Sequence, residues 1–295
     1  MFSGSIPALV TPFAADGRFD EAAFRALVDW QIDEGSSALV ACGTTGEAAT
    51  LTAEQHFGIV RVCVDQAAGR VPVIAGAGSN DTQVAIENLA RAKAAGADAA
   101  LMVPPYYNRP SQEGIVRHFA ALAEVSELPI VLYNVPTRTV TDILPATLAR
   151  IVAAAPGVFV AVKDASGVLA RVPQHRAACG EGFVQLSGND DLALGFNAMG
   201  GVGCISVSAN VAPRLCAEFQ AACLAGDFAL ALEHQDRLYP LHDALFSDAS
   251  PGPVKYAMTK VRPGFPEGLR LPMTWPSDAS RALVDVALAH AGLIG

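Results

Sequence analysis

Short apolar runs alternate along this chain with stretches in which apolar side chains recur every three or four positions. The runs lie at residues 6–10, 38–42, 71–75, 99–103, 129–133, 158–163, 183–187 and 203–207. Runs of that length suit parallel strands covered on both faces, where neither side has to be polar. Between them stand helix signals. Asp20 offers an N-cap ahead of Phe24, Leu27, Val28 and Ile32 at helical spacing, and Thr52 with Gln55 has the spacing of a capping box. Asn80-Asp81 opens a helix that stops at Gly96, Ser111 caps one reaching Val125, and Pro145 starts another that runs to Ala154. Gly188-Asn189-Asp190-Asp191 reads as a further helix opening, which makes capping the reading of both aspartates. Residues 212–224 supply the last helix of the series.

Eight strand-then-helix units predict an α/β protein of the (β/α)8 TIM-barrel class rather than an open sheet. No Gly-x-Gly-x-x-Gly opens the first unit, so the main signal for a dinucleotide-binding doubly wound sheet is missing. Beyond Asp227 the pattern turns to helices alone, at 228–246, 253–260 and 278–290. The expected division is a catalytic barrel over 1–226 with a small C-terminal helical extension over 227–295.

Composition narrows the function classes. Hydrophobic residues make up 52% of the 295 positions and charged ones only 17%, which predicts a large core and buried subunit contacts as well. A formal net charge of −9 repels phosphate backbones and anionic lipid, so no nucleic-acid or membrane partner is expected. The six cysteines show neither Cys-x-x-Cys nor a secreted framework and read as small buried hydrophobes in a reducing compartment. The N-terminal residues lack a basic segment followed by a long apolar core, and no apolar run is long enough to span a bilayer. A cytoplasmic protein is expected.

In a barrel of this class the reactive groups sit at the C-terminal ends of the strands. Reading those ends gives Thr44, Thr45, Tyr106, Tyr107, Tyr133, Lys163, Gly188 and Ile205. Lys163 stands out, because the chain has four lysines and the others are Lys93, Lys255 and Lys260. An ammonium on a core strand either finds a carboxylate, here the adjacent Asp164, or gives up its proton and becomes a nucleophilic amine able to form a Schiff base. Tyr133, at another strand end, is either a core aromatic or a phenol able to pass protons to a carbinolamine. The loop Gly43-Thr44-Thr45-Gly46-Glu47 is a simple turn or a carboxylate cradle of N–H groups and hydroxyls. Arg138 is a surface arginine or a bidentate partner for a second carboxylate. No His/Glu cluster has metal-ligand spacing, so no metal site is assigned. The histidines receive no role, and Lys255 and Lys260 are expected to be structural or solvent-facing.

Gly43-Thr44-Thr45-Gly46-Glu47, Tyr106-Tyr107-Asn108-Arg109-Pro110, Tyr133-Asn134-Val135-Pro136-Thr137-Arg138-Thr139, Val162-Lys163-Asp164-Ala165-Ser166-Gly167 and Leu271-Pro272-Met273-Thr274 together resemble the dihydrodipicolinate synthases of the N-acetylneuraminate lyase superfamily. The likeness covers nearly the whole chain. It implies condensation of pyruvate with L-aspartate-4-semialdehyde, the entry step of diaminopimelate and lysine biosynthesis, without a metal or organic cofactor. Lys163 would form the Schiff base, and Tyr133 would exchange protons through Thr44 with a Tyr107 supplied by a neighbouring subunit. Thr45, Gly188 and Ile205 would meet pyruvate and Arg138 the semialdehyde carboxylate, within a homotetramer built as a dimer of dimers. Ala48, Ala53 and Val84 stand where lysine-inhibited members carry polar groups, although His56, Asn80 and Tyr106 remain, so weak lysine feedback is expected. Two other readings stay open: a sibling lyase or aldolase acting on sugar acids, and a barrel that has lost catalysis and serves as a binding subunit.

Overall fold

The computed structural model describes residues 2–295. Eight parallel strands form the sheet: β1 (Gly4–Pro7), β2 (Leu39–Ala41), β3 (Val73–Gly76), β4 (Ala99–Met102), β5 (Ile130–Asn134), β6 (Phe159–Asp164), β7 (Val184–Ser187) and β8 (Gly203–Ser206). From β2 to β8 each pairs with the next in sequence order, β8 returns to pair with β1, and an Ala8–Val40 bridge just past β1 joins it to β2. The sheet is therefore closed, as the eight-unit pattern predicts. Alternate residues point inward, and Ile6, Ala8, Val40, Ile74, Leu101, Val131, Tyr133, Ala161, Leu186 and Ile205 form one packed stack along the axis. The other face of each strand joins a larger apolar layer under the helices.

Those helices are α1 (Glu21–Asp33), α2 (Ala53–Ala67), α3 (Thr82–Ala94), α4 (Gln112–Val125), α5 (Pro136–Thr139), α6 (Pro145–Ala154), α7 (Arg171–Cys179), α8 (Ala193–Ala198), α9 (Pro213–Ala225), α10 (Phe228–Ala244), α11 (Gly252–Val261) and α12 (Asp278–His290). Four of the caps read from sequence are made. Asp20 accepts from the Ala23 N–H, Asp81 from Val84, Ser111 from Gly114, and Thr52 closes a reciprocal box with Gln55. The first strand sits earlier than expected, at 4–7 rather than 6–10. Past Pro7 the backbone turns to other partners, the Leu9 N–H donating to Val40 and the Val10 N–H to the Asn210 side chain.

Two departures lie on the return side of the barrel. The helix expected to open at 188–191 begins only at Ala193, with no side-chain cap. Asp190 works elsewhere: it accepts hydrogen bonds from the Ser206 hydroxyl and from the Val207 and Ser208 N–H groups, so it secures the end of β8. The second departure is α7, which carries no clear apolar stripe. Its buried positions include Arg171 and His175, and Arg171 is held by an ion pair to Asp142.

Among the described residues no helix is long and apolar enough to cross a membrane. The C-terminal helices pack on the barrel: α10 against α9, α12 against α10, and α11 against α12. Their effect on the barrel mouth is local and is described below.

Candidate active site

Strand register brings the first pair together. Tyr133 on β5 and Lys163 on β6 are direct partners, so both side chains leave the sheet on the inner face at the C-terminal rim. Lys163 is 5% exposed and its Nζ lies 4.2 Å from the centroid of the Tyr133 ring. Among the described residues no carboxylate is within ion-pair distance of Lys163. Asp164, one residue on, belongs to the opposite face, where its Oδ1 accepts from the Ser166 N–H at 2.8 Å. Of the two sequence readings, pairing with Asp164 is thus excluded by the alternation of the strand. Gly188 preserves the space around the amine: a Cβ there would lie 2.7 Å from Ala165 Cβ and 3.1 Å from Lys163 Cε.

Lys163, Tyr133, Gly188, Thr44, Thr45 and Arg138 all line one cavity of about 230 Å³ at the C-terminal mouth of the barrel. Thr44 and Thr45 enter it from the loop after β2. That loop is two overlapping turns, the Gly46 N–H donating to Gly43 and the Glu47 N–H to Thr44, flanked by Cys42 at φ 53° and Glu47 at φ 57°. Side chains other than glycine adopt this left-handed region at a cost, which here must be repaid by surrounding contacts. Glu47 supplies some of them. Its buried carboxylate accepts from Lys255 Nζ on α11 at 2.6 Å and from the Arg270 N–H at 3.0 Å. Lys255 is fully buried, which refines its expected role to a structural one; Lys260 is the surface lysine, 3.6 Å from Asp285.

The remaining candidates sort unequally. Arg138, on the short α5 turn after β5, is exposed, is free of ion pairs among the described residues, and reaches the cavity wall. Ile205 is fully buried in the axial stack, and its side chain is not part of the wall. Tyr107 is 90% exposed at φ 72° and is not part of this chain's cavity wall. Tyr106 lines a second cavity of about 530 Å³ beside the first, together with Ala48, Ala53, His56 and Val84, while Asn80 stays outside that wall. Thr44, Tyr133 and Arg138 face both cavities.

The sequence reading missed one side of the first cavity. Tyr239, His242 and Asp243 of α10, with Phe246 and Ser250 beyond it, form that wall. His242 is buried, its Nδ1 is 2.7 Å from the Ser208 hydroxyl, and burial lowers its pKa against the opposing pull of Asp190 and Asp191. Periodicity places α10 as a helix but says nothing about which strand ends it covers. Among the described residues, no group of three or more His, Cys, Asp or Glu side chains has the arrangement of a metal site.

A buried, unpaired lysine under a phenol, with two threonines and an arginine around one small cavity, is suited to Schiff-base chemistry on a small carboxylated carbonyl compound. Comparison with known proteins agrees. The family model described as the dihydrodipicolinate synthetase family matches residues 1–291. The 4-hydroxy-tetrahydrodipicolinate synthase of Rhizorhabdus wittichii is 67% identical over 293 residues, covering 99% of this chain and 100% of that protein. The crystal structure of the chloride-inhibited dihydrodipicolinate synthase of Acinetobacter baumannii complexed with pyruvate is 41% identical over 100% of both chains, with a TM-score of 0.96. That of Cyanidioschyzon merolae with lysine bound is 36% identical over 99% of both chains, with a TM-score of 0.95. From its first strand to its last helix, this chain belongs to the dihydrodipicolinate synthetase family.

Proposed function

We propose that the protein joins pyruvate to L-aspartate-4-semialdehyde, giving 4-hydroxy-tetrahydrodipicolinate and water. The observation that carries this reading is Lys163, buried without a counter-charge among the described residues, in the lining of the cavity and 4.2 Å from the centroid of the Tyr133 ring. Its amine adds to C2 of pyruvate, and loss of water leaves an imine whose nitrogen draws electrons from C3. A C3 proton departs and the enamine forms; its C3 attacks the aldehyde carbon, and the new alkoxide takes up a proton. The amino group of the former semialdehyde then adds to C2, closing the ring and releasing Lys163. Proton transfers accompany these steps, and we assign them to the Tyr133 phenol.

Thr45 and the Gly43–Gly46 backbone are proposed to cradle the keto acid, Gly188 to keep room for the adduct, and Thr44 to link Tyr133 to a relay. Ile205 belongs beneath the site, where it packs the floor. Arg138 offers a guanidinium for the semialdehyde carboxylate from the opposite wall. The position of Tyr107, exposed and outside the wall of its own cavity, supports a neighbouring subunit as the owner of the site it completes, within a dimer of dimers. We assign the barrel, 1–226, to catalysis and the helical region, 227–295, to closing one wall of the cavity, and the protein to the cytoplasm. The apolar Ala48, Ala53 and Val84 in the second cavity support a weak response to free lysine.

The test is a coupled assay in which dihydrodipicolinate reductase consumes the product. Turnover with pyruvate and the semialdehyde is expected. Pyruvate release from sialic or 2-keto-3-deoxy sugar acids, with no signal in the coupled assay, would instead favour a sibling lyase.

A further inference from the structure

We propose that Glu47 and Lys255 are positioning residues for the proton-transfer step: the C-terminal helical region holds the Thr44–Thr45 loop in its catalytic geometry through this buried ion pair. The inference rests on the reading of Lys163 and Thr44 given above and adds a component that touches no substrate.

The contacts converge on one spot. Lys255 Nζ donates to Glu47 Oε1 at 2.6 Å and to the Thr11 carbonyl at 2.9 Å, and it lies 4.6 Å from the centroid of the Phe13 ring. The Thr11 hydroxyl in turn donates to the Gly46 carbonyl at 2.7 Å, inside the threonine loop. Arg270 closes the arrangement: its N–H donates to Glu47 Oε2, and its guanidinium reaches the Gly17 and Thr50 carbonyls and the Gln55 side chain. Gly46 packs closely on the segment after β1: a Cβ there would lie 3.0 Å from the Leu9 carbonyl and 3.2 Å from the Thr11 hydroxyl. The loop is thus gripped by the segment after β1 on one side and by residues more than 200 positions away on the other.

Energetics argue that this pair is kept for geometry. A buried ion pair is no more stabilising than well-packed apolar residues of the same volume, so its presence is weak evidence for a purely structural role. It sits instead beside the one loop that must hold two hydroxyls against left-handed backbone at Cys42 and Glu47. Glu47 is the fifth residue of that loop, three positions from Thr44, and the overlapping turns make the loop move as a unit. Release of Glu47 therefore shifts Thr44, whereas Lys163 and Tyr133 stay fixed on their strands. Misplacement of a relay hydroxyl by about 1 Å costs up to about 100-fold in rate.

The experiment uses the full chain carrying Glu47→Gln with Lys255→Met, a neutral pair of similar volume. Three quantities are read: the melting temperature, borohydride trapping of pyruvate on Lys163 at saturating pyruvate, and kcat with deuterium exchange at pyruvate C3. The expected result is a folded protein that traps pyruvate as completely as wild type but loses about 10–100-fold in kcat and exchange. Unchanged kcat overturns the inference, and so does a fall in kcat matched by an equal loss of trapping and of folded protein. Should the double variant not fold, Thr11→Val removes one hydrogen bond to the same loop and reads the same split on a smaller scale. Failure of wild type to trap pyruvate on Lys163 would defeat the parent reading, a result separate from either outcome in the variants.

Discussion

Two lysines are buried in this chain, one at the floor of the barrel mouth and one in the seam between α11 and the loops after β1 and β2. Both lie over an aromatic ring, Lys163 at 4.2 Å from the Tyr133 centroid and Lys255 at 4.6 Å from that of Phe13. Lys255 has a carboxylate at 2.6 Å and a carbonyl at 2.9 Å; Lys163 has neither among the described residues. Burial costs an ammonium several kcal/mol, and the two sites answer that cost differently. In the seam a counter-charge is built in, and the amine is committed to holding the chain together. At the mouth the place of the counter-charge is left to a cavity, so the amine stays available for a carbonyl carbon. Depth of burial does not distinguish a catalytic lysine from a structural one; what stands within hydrogen-bond reach does.

The comparison breaks most sharply at Lys163. Lys163→Arg keeps a long basic side chain but removes the amine proposed to form the Schiff base, and a loss of at least about 1,000-fold in kcat/KM is expected with the melting temperature nearly unchanged. At the other lysine the result should be inverted. Lys255→Met alone strands the Glu47 carboxylate in the seam and is expected to cost about 3–5 kcal/mol in urea unfolding. Adding Glu47→Gln should recover most of that loss, because no unpaired charge then remains.

A third buried base sharpens the rule. His118 of α4 has only the Thr82 hydroxyl, 2.9 Å from its Nδ1, and its Nε2 is buried without a partner among the described residues. Burial pushes its pKa down to about 4, well below 6.5, despite the pull of Asp81. Between pH 6.5 and about 4 the unfolded chain binds more protons, so the stability His118 provides is complete above 6.5 and falls as the pH drops through that window. The expected loss is about 3 kcal/mol, and His118→Gln should flatten that part of the unfolding profile. Tyr133→Phe carries the smallest of these effects: the ring stays over the amine, the proposed proton carrier goes, and kcat is expected to fall about 100-fold while pyruvate trapping persists.

Much of this was legible along the chain. The barrel follows from eight apolar runs and their caps, and Lys163, Tyr133 and Gly188 follow from asking what ends each strand. Thr44 and Thr45 were readable only as members of a loop, since a Gly/Thr turn has the same sequence with or without a ligand to hold. What sequence could not reveal is contact across long separations. Glu47 and Lys255 are 208 positions apart, and nothing in the periodicity of α11 marks its lysine as the partner of a loop beside β2. The α10 wall was hidden for the same reason, and α7 because its buried face is polar. Asp190 was misread because an aspartate before a helix caps it in most settings; here a pair of N–H groups beyond β8 had the stronger claim.

The decisive measurement is reduction of the wild-type protein with borohydride in the presence of pyruvate, followed by mapping of the modified peptide. One added pyruvate-derived group per chain is expected, on Lys163, with none on Lys255 and none in Lys163→Arg. Modification of a different lysine, or a protein that turns over substrate while remaining unmodified, would contradict it.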